Sequence, residues 1–324
     1  MRSALLFSRR RQTWSAALVA GVSIAVAATA CAGRGGPGWA EQDRCRERRV
    51  EELQGPVDEA LRVTSGAGTV EIRGESGLGE ARVTATLCAS EPELLDQLSV
   101  TLAGDRLETG YPRTGWWNGG RYARIDLEVR VPAGTDIRLE DGSGSAAIAD
   151  VGDVQVEDGS GGLALERTGA VRLDDGSGSV TIRDAGGDVV IEDGSGDFTI
   201  RGVAGSATVQ DGSGSLRLRE VEGNVLVEDR SGSVRIVDVG GDVTVEDGGG
   251  SLGIRGVRGS VVITEDGGGG IEIEDVEQNV EIGDPGSGRV EVHTVGGDLT
   301  VEDGRRSRIH HFDVQGQVTL PERR

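Results

Sequence analysis

Ten aspartates, Asp141, Asp158, Asp175, Asp193, Asp211, Asp229, Asp247, Asp266, Asp284 and Asp303, recur at intervals of 17, 17, 18, 18, 18, 18, 19, 18 and 19 residues, each leading into a glycine-rich turn. Carboxylates in that pattern offer two chemistries: cation binding, or acid/base work where two lie together. The pairs Glu157/Asp158, Asp174/Asp175, Glu192/Asp193 and Glu246/Asp247 supply the raw material for both. Calcium-binding nonapeptide repeats also build 18-residue coils, but they need an Asp two residues after the last turn glycine. Here that place falls on Ala146 or Val180. Any Ca²⁺ is therefore expected to be weak and at the rim, with Asp158, Asp175, Asp193 and Asp247 as candidate ligands, and no cofactor is required. An Asp opening a turn also accepts a backbone N–H two residues on. Stacked ~4.8 Å apart, such carboxylates would repel by about 1 kcal/mol in water and ~3.5 kcal/mol at an effective dielectric of 20. The expectation is a solvated, outward-facing column.

A polysaccharide-active β-helix enzyme is the catalytic alternative. Its acid and base should sit in one cleft and break the repeat locally. The carboxylate pairs here recur coil after coil, and the breaks at Arg230, Pro285 and Arg305-Arg306 bring no second acid or base. His293, His310 and His311 lack metal-site spacing, and adjacent strand residues such as His310 and His311 point to opposite faces. No nucleotide or hydrolase motif stands out from the glycine turns. The chain reads as non-enzymatic, with no small-molecule substrate.

The elements that place these residues follow from the repeat. In SVTIRDAGGDVVIEDGSG (Ser179 to Gly196) two β-branched runs alternate aliphatic and polar residues, and a different glycine turn follows each. That is the period of two of half-buried strands. A corner column of Val151, Ala185, Val203, Val221, Val239, Val257, Val276 and Val295 is small enough to point inward. One coil buries about five aliphatic side chains, too few to order 18 residues alone, so coils must stack. The fold expected is all-β: a parallel β-solenoid, β-helix-like, of about ten 18-residue coils over residues 137–304. An N-terminal β cap domain over 57–136 and a C-terminal cap over 305–324 close its ends.

The amino terminus is a secretory signal over residues 1–30, with Arg9-Arg10-Arg11 before the apolar run Ala16 to Ala30. It ends in Ala28-Thr29-Ala30-Cys31, which resembles the bacterial lipobox. Cys31 is thus the expected lipidation site, and residues 31–56 a tether to the membrane. The product is an exported lipoprotein facing the periplasm or the cell exterior. Removing Cys31 leaves Cys45 and Cys88, an even pair expected to form a disulfide in an oxidising compartment. A net charge of −21, with every basic residue an arginine, excludes nucleic acid as a natural partner. The segment from Tyr111 to Tyr122 gathers both tyrosines with Trp116 and Trp117. These four are the candidate contacts for a surface glycan or protein; the alternative is that they cover an open end of the solenoid.

Three stretches carry a resemblance: VTSGAGTVEIRG, a middle strand ending near Cys88, and LEVRVPAGTDIRLEDGSG leading into the repeats. From Ala60 to Asp303 the chain resembles the bacterial putative-adhesin domain family, a β-strand-repeat family of unknown function. The resemblance implies an exported β-solenoid with a part in attachment and carries over no catalytic residue. The function expected is a non-catalytic envelope protein, structural or adhesin-like; a weakly Ca²⁺-binding surface repeat is the alternative.

Overall fold

Val189 and Ile191 are buried while Val190 and Glu192 lie toward solvent, and after a tight turn Phe198, Ile200 and Val203 are buried in their turn. This alternation, repeated at each coil, builds the molecule. The computed structural model describes residues 45–112 and 121–322. Each coil has a short strand such as Val189–Asp193 and a longer one such as Gly196–Val203. Short strands pair in parallel only with short strands, Val171↔Val189↔Ala207, and long with long, Val180↔Phe198↔Leu216. The result is two parallel sheets facing one another across a continuous aliphatic column, a parallel β-solenoid of about ten turns. At ~4.8 Å per coil it is a rod roughly 50 Å long.

Two backbone devices bend the coil. The last glycine of each D-G-S-G turn, for example Gly214 (φ +142°), stacks so tightly on its predecessor that a Cβ would lie 1.6 Å from the Gly196 carbonyl oxygen. Just before the corner column, a left-handed residue turns the chain inward: Asp184, Glu220, Asp238 and Thr294 all have φ between 55° and 61°. The extra residue of the 19-residue interval from Asp247 to Asp266 is absorbed by a register shift after Val245.

At the amino end the strands are β1 (Glu47–Gly55), β2 (Ala60–Glu75), β3 (Ala81–Ala89), β4 (Ser99–Ala103), β5 (Arg106–Gly110), β6 (Ala123–Pro132) and β7 (Asp136–Ala149). A single helical turn, α1 (Pro92–Leu95), lies between β3 and β4. Parallel pairing does not begin at residue 137, because β2 runs alongside β7 from Ala60↔Asp136 to Arg73↔Ala149 and is itself a coil. β5 and β6 lie parallel against the two halves of β2. Antiparallel strands then close both sheets, β3 and β1 beyond β6 and β4 beyond β5. Nor does pairing stop at 304. Ile309–Val314 and Val318–Thr319 add strands to both sheets, so the segment read as a C-terminal cap is largely one more coil.

Candidate functional site: a buried carboxyl column

From Asp141 to Asp266 the recurrent aspartates point inward, and all but the half-buried Asp193 are buried. In Val171–Asp175 the inward positions are Val171, Leu173 and Asp175, because the Asp stands in phase with the aliphatics of its own strand. Asp175, Asp211, Asp229, Asp247 and Asp266 are only 2%, 3%, 4%, 0% and 1% exposed. The expected solvated column is corrected on this point: the carboxyls line the inside of the turn edge. The turn chemistry itself is as expected. One oxygen of each accepts the backbone N–H two residues on, from Ser177 (3.2 Å), Ser213 (2.9 Å), Ser231 (3.0 Å), Gly249 (2.8 Å) and Gly268 (2.9 Å). The second oxygen of each has neither a protein partner nor contact with water.

A buried, unpartnered carboxylate oxygen favours the protonated acid. Burial, aided by the charge of Asp158, raises Asp141 and Asp175 to about 6. Burial also takes Asp229 and Asp266 to about 6, with further push from Asp neighbours. Asp193 goes furthest, to about 7, through burial and then the charges of Asp175 and Asp211. Neither oxygen of Asp193 makes a protein hydrogen bond of good geometry. Like charges stacked one coil apart disfavour full ionisation of the column, and Asp193, between Asp175 and Asp211, feels this from both sides. The column ends with the repeat's irregularities: at the next coil Asp284 is exposed and Pro285 takes the buried place.

Beside it runs an exposed acidic column in register, Glu157, Asp174, Glu192, Gln210, Glu228 and Glu246. From Asp174 to Glu246 the two columns border a shallow groove of about 530 Å³. The arrangement can store protons along its length. As a cation site, the candidates Asp158, Asp175, Asp193 and Asp247 all fall in the buried column, and among the described residues no group of three or more His, Cys, Asp or Glu is placed to hold a metal ion.

The other sequence candidates fall elsewhere. A disulfide joins Cys45 to Cys88, with Cα atoms 5.4 Å apart. Cys31, Trp116 and Trp117 lie outside the described residues. Tyr111 is committed to the fold. Its hydroxyl accepts from the Ala67 N–H and donates to the Ala67 carbonyl, and its ring covers Gly66, where a Cβ would come within 2.6 Å. Burial raises the phenol's pKa accordingly. Tyr122 is half-buried and ties its backbone to Ser90 in both directions. His293 stacks on the exposed Phe312, ring centroids 5.2 Å apart, and belongs to no metal-holding group among the described residues.

One working set of residues escaped the sequence reading. The polar residue just before each short strand accepts the backbone N–H of its counterpart one coil on: Asp136 from Asp153, Asp188 from Ser206, Asn224 from Asp242, Asp242 from Ser260, Asn279 from Asp298. This ladder ties the second turns as the buried column ties the first. Its signal was present, since Asp, Ser or Asn stands at that place in nearly every coil.

Residues 58–302 match the family model Toastrack DUF4097, about three quarters of the chain. Among solved structures, a putative adhesin from Parabacteroides merdae is 10% identical with a TM-score of 0.37, covering 78% of this chain and 96% of its own. A putative adhesin from Parabacteroides distasonis is 11% identical (TM-score 0.33; 84% and 96% covered). A putative lipid binding protein from the same organism is also 11% identical (TM-score 0.30; 83% and 96% covered). Among curated proteins nothing matches.

Proposed function

The chain belongs to the Toastrack DUF4097 family, and from that premise we propose that it is a non-catalytic, exported β-solenoid acting as an adhesin-like or structural element of the cell envelope, anchored through a lipid on Cys31. The observation that carries this reading is the contrast between the rod's two long outer faces. The short-strand sheet presents the acidic column from Glu157 to Glu246, and the long-strand sheet presents Arg183, Arg201 and Arg219 in register. A stiff scaffold that repeats one surface chemistry over many coils suits extended contact with a partner. It suits catalysis poorly, because the carboxyls with raised pKa recur coil after coil and are locked in turns.

Two experiments test the halves of this proposal. Metabolic labelling with a fatty acid, followed by fractionation, should mark the wild type and leave Cys31→Ala unlabelled and released from membranes. Beads coated with the protein should bind cells or isolated envelope, and the Trp116→Ala/Trp117→Ala double variant should bind less if the aromatic segment shares in the contact. Divalent cations enter this reading as modest, weakly held stabilisers at the rim of the turn edge, beside the exposed acidic column. Melting temperature should then rise in millimolar calcium above that in sodium chloride of matched ionic strength, while chelator leaves the fold intact.

A further inference from the structure

We infer that the long-strand face carries a binding notch for a carboxylated sugar, held by Arg217 and Arg235 over Gly253. This deepens the attachment reading and rests on it. Arg217 and Arg235 are exposed and occupy the same place in adjacent coils. Neighbouring arginines on this face are matched by carboxylates: Arg201 by Glu220 (3.0 Å), Arg219 by Asp238 (4.0 Å) and Arg255 by Asp275 (3.5 Å). Among the described residues Arg217 and Arg235 have no such partner, although the chain carries a large excess of acid. Two like charges one coil apart, left unneutralised, fit a shared anion better than they fit each other.

The next place in that column is Gly253, followed by Glu272. Gly253 answers no backbone demand. A Cβ there would meet nothing within 4 Å, and the same is true of Gly270 in the adjoining column. Glycine inside a strand sacrifices stability and marks places of close approach. The two missing side chains open a notch of about 510 Å³, within the range of sites for small ligands. Along its side run the Ser233 and Ser251 hydroxyls, hydrogen-bonded to each other at 3.1 Å.

The polarity of the notch selects the ligand. Two guanidiniums at one end bind a carboxylate, the serines along the side suit hydroxyl groups, and the far end holds Glu272 with the ion pair Arg289–Glu291 (2.6 Å). A polymer carrying several sulfates or phosphates per sugar would meet more repulsion from Glu272 than one carrying a single carboxylate per sugar. A sugar acid presents one carboxylate beside several hydroxyls, and a polymer of such sugars could run along the sheet.

The test is a calorimetric titration of the full-length protein with trigalacturonate, its methyl ester, and maltotriose. Wild type should bind the acid, and the ester and the neutral sugar should bind at least about tenfold more weakly, as for loss of a charge-assisted hydrogen-bonded pair. Arg217→Ala/Arg235→Ala should weaken trigalacturonate by a similar factor. Gly253→Val, which fills the notch in an ordinary strand conformation, should do the same with a melting temperature no lower than wild type. The assignment is overturned if wild type does not bind trigalacturonate, if the ester binds as well as the acid, or if both variants bind like wild type. Protein that adheres to cells yet ignores trigalacturonate refutes the notch and leaves the attachment reading standing. Protein that binds trigalacturonate through the two arginines but adheres to no envelope surface does the reverse.

Discussion

Asp193→Asn should stabilise the protein at pH 8 and leave it unchanged near pH 4. Asp193 has its pKa raised from 3.8 to about 7 by burial and by the charges of Asp175 and Asp211. In the unfolded chain the same carboxyl titrates near 4. Between those values the native state binds more protons than the unfolded one, so stability falls as pH rises through the window from about 4 to about 7. At one pH unit per 1.36 kcal/mol the full shift has a ceiling of about 4 kcal/mol. Asp193 is half-buried, is coupled to the charges of Asp175 and Asp211, and sits beside the exposed Glu192, so screening and coupling cut this to roughly 1–1.5 kcal/mol. Asparagine keeps the shape, carries no charge, and offers an N–H₂ to the Asp211 carboxylate.

The measurement is urea unfolding of wild type and variant at pH 4, 5, 6, 7 and 8. The difference between the two curves is the quantity of interest, because the general effect of a strongly negative net charge is nearly the same in both. The variant should gain on the wild type steadily from pH 5 to pH 8. If Asp193→Asn instead destabilises at pH 8, or if the difference is flat across the series, the native column is charged and held by something other than protons. A bound cation would then be the first explanation, and the protonated column would be refuted.

Three further substitutions probe the turns. Gly214→Ala drives a Cβ to 1.6 Å from the Gly196 oxygen at a φ of +142°, and should cost more than about 3 kcal/mol or abolish folding of the adjoining coils, read by circular dichroism melts. Thr294→Gly relieves a β-branched residue held at φ 55° and should stabilise by about 0.5–1 kcal/mol in urea unfolding. Ala170 interrupts the second-turn ladder, since it accepts nothing from Asp188 one coil on, whereas Asp153 accepts from Ala170 itself at 2.8 Å. Ala170→Asn should restore the bond and add roughly 0.5–1 kcal/mol, with slower amide exchange at Asp188.

The regular part of the fold was legible because one spacing sets two registers at once. An 18-residue interval places Val171 against Val189 and Val180 against Phe198 only if the coils stack in parallel. What the repeat could not show was its own first coil. β2 pairs with β7 across 76 residues, from Ala60 to Asp136, and β3 to β6 are inserted between them. Its turn, Ser65-Gly66-Ala67-Gly68, stands in register with Asp141-Gly142-Ser143-Gly144, but serine has replaced the aspartate that marked every other coil. The far end was hidden because the turn before Ile309–Val314 keeps Asp303-Gly304 but puts Arg305-Arg306-Ser307-Arg308 where the other coils carry glycine. The burial of the aspartates is the more instructive error. Turn propensity and charge both argue for solvent, yet the side-chain period of two counts from Val189 and Ile191 straight to Asp193. Backbone geometry decides which way a side chain points, and the carboxyl then adapts by keeping its proton. In a strand this short, phase outranks polarity, and the cost of the misplaced polar group becomes a pH dependence that no residue type taken singly would reveal.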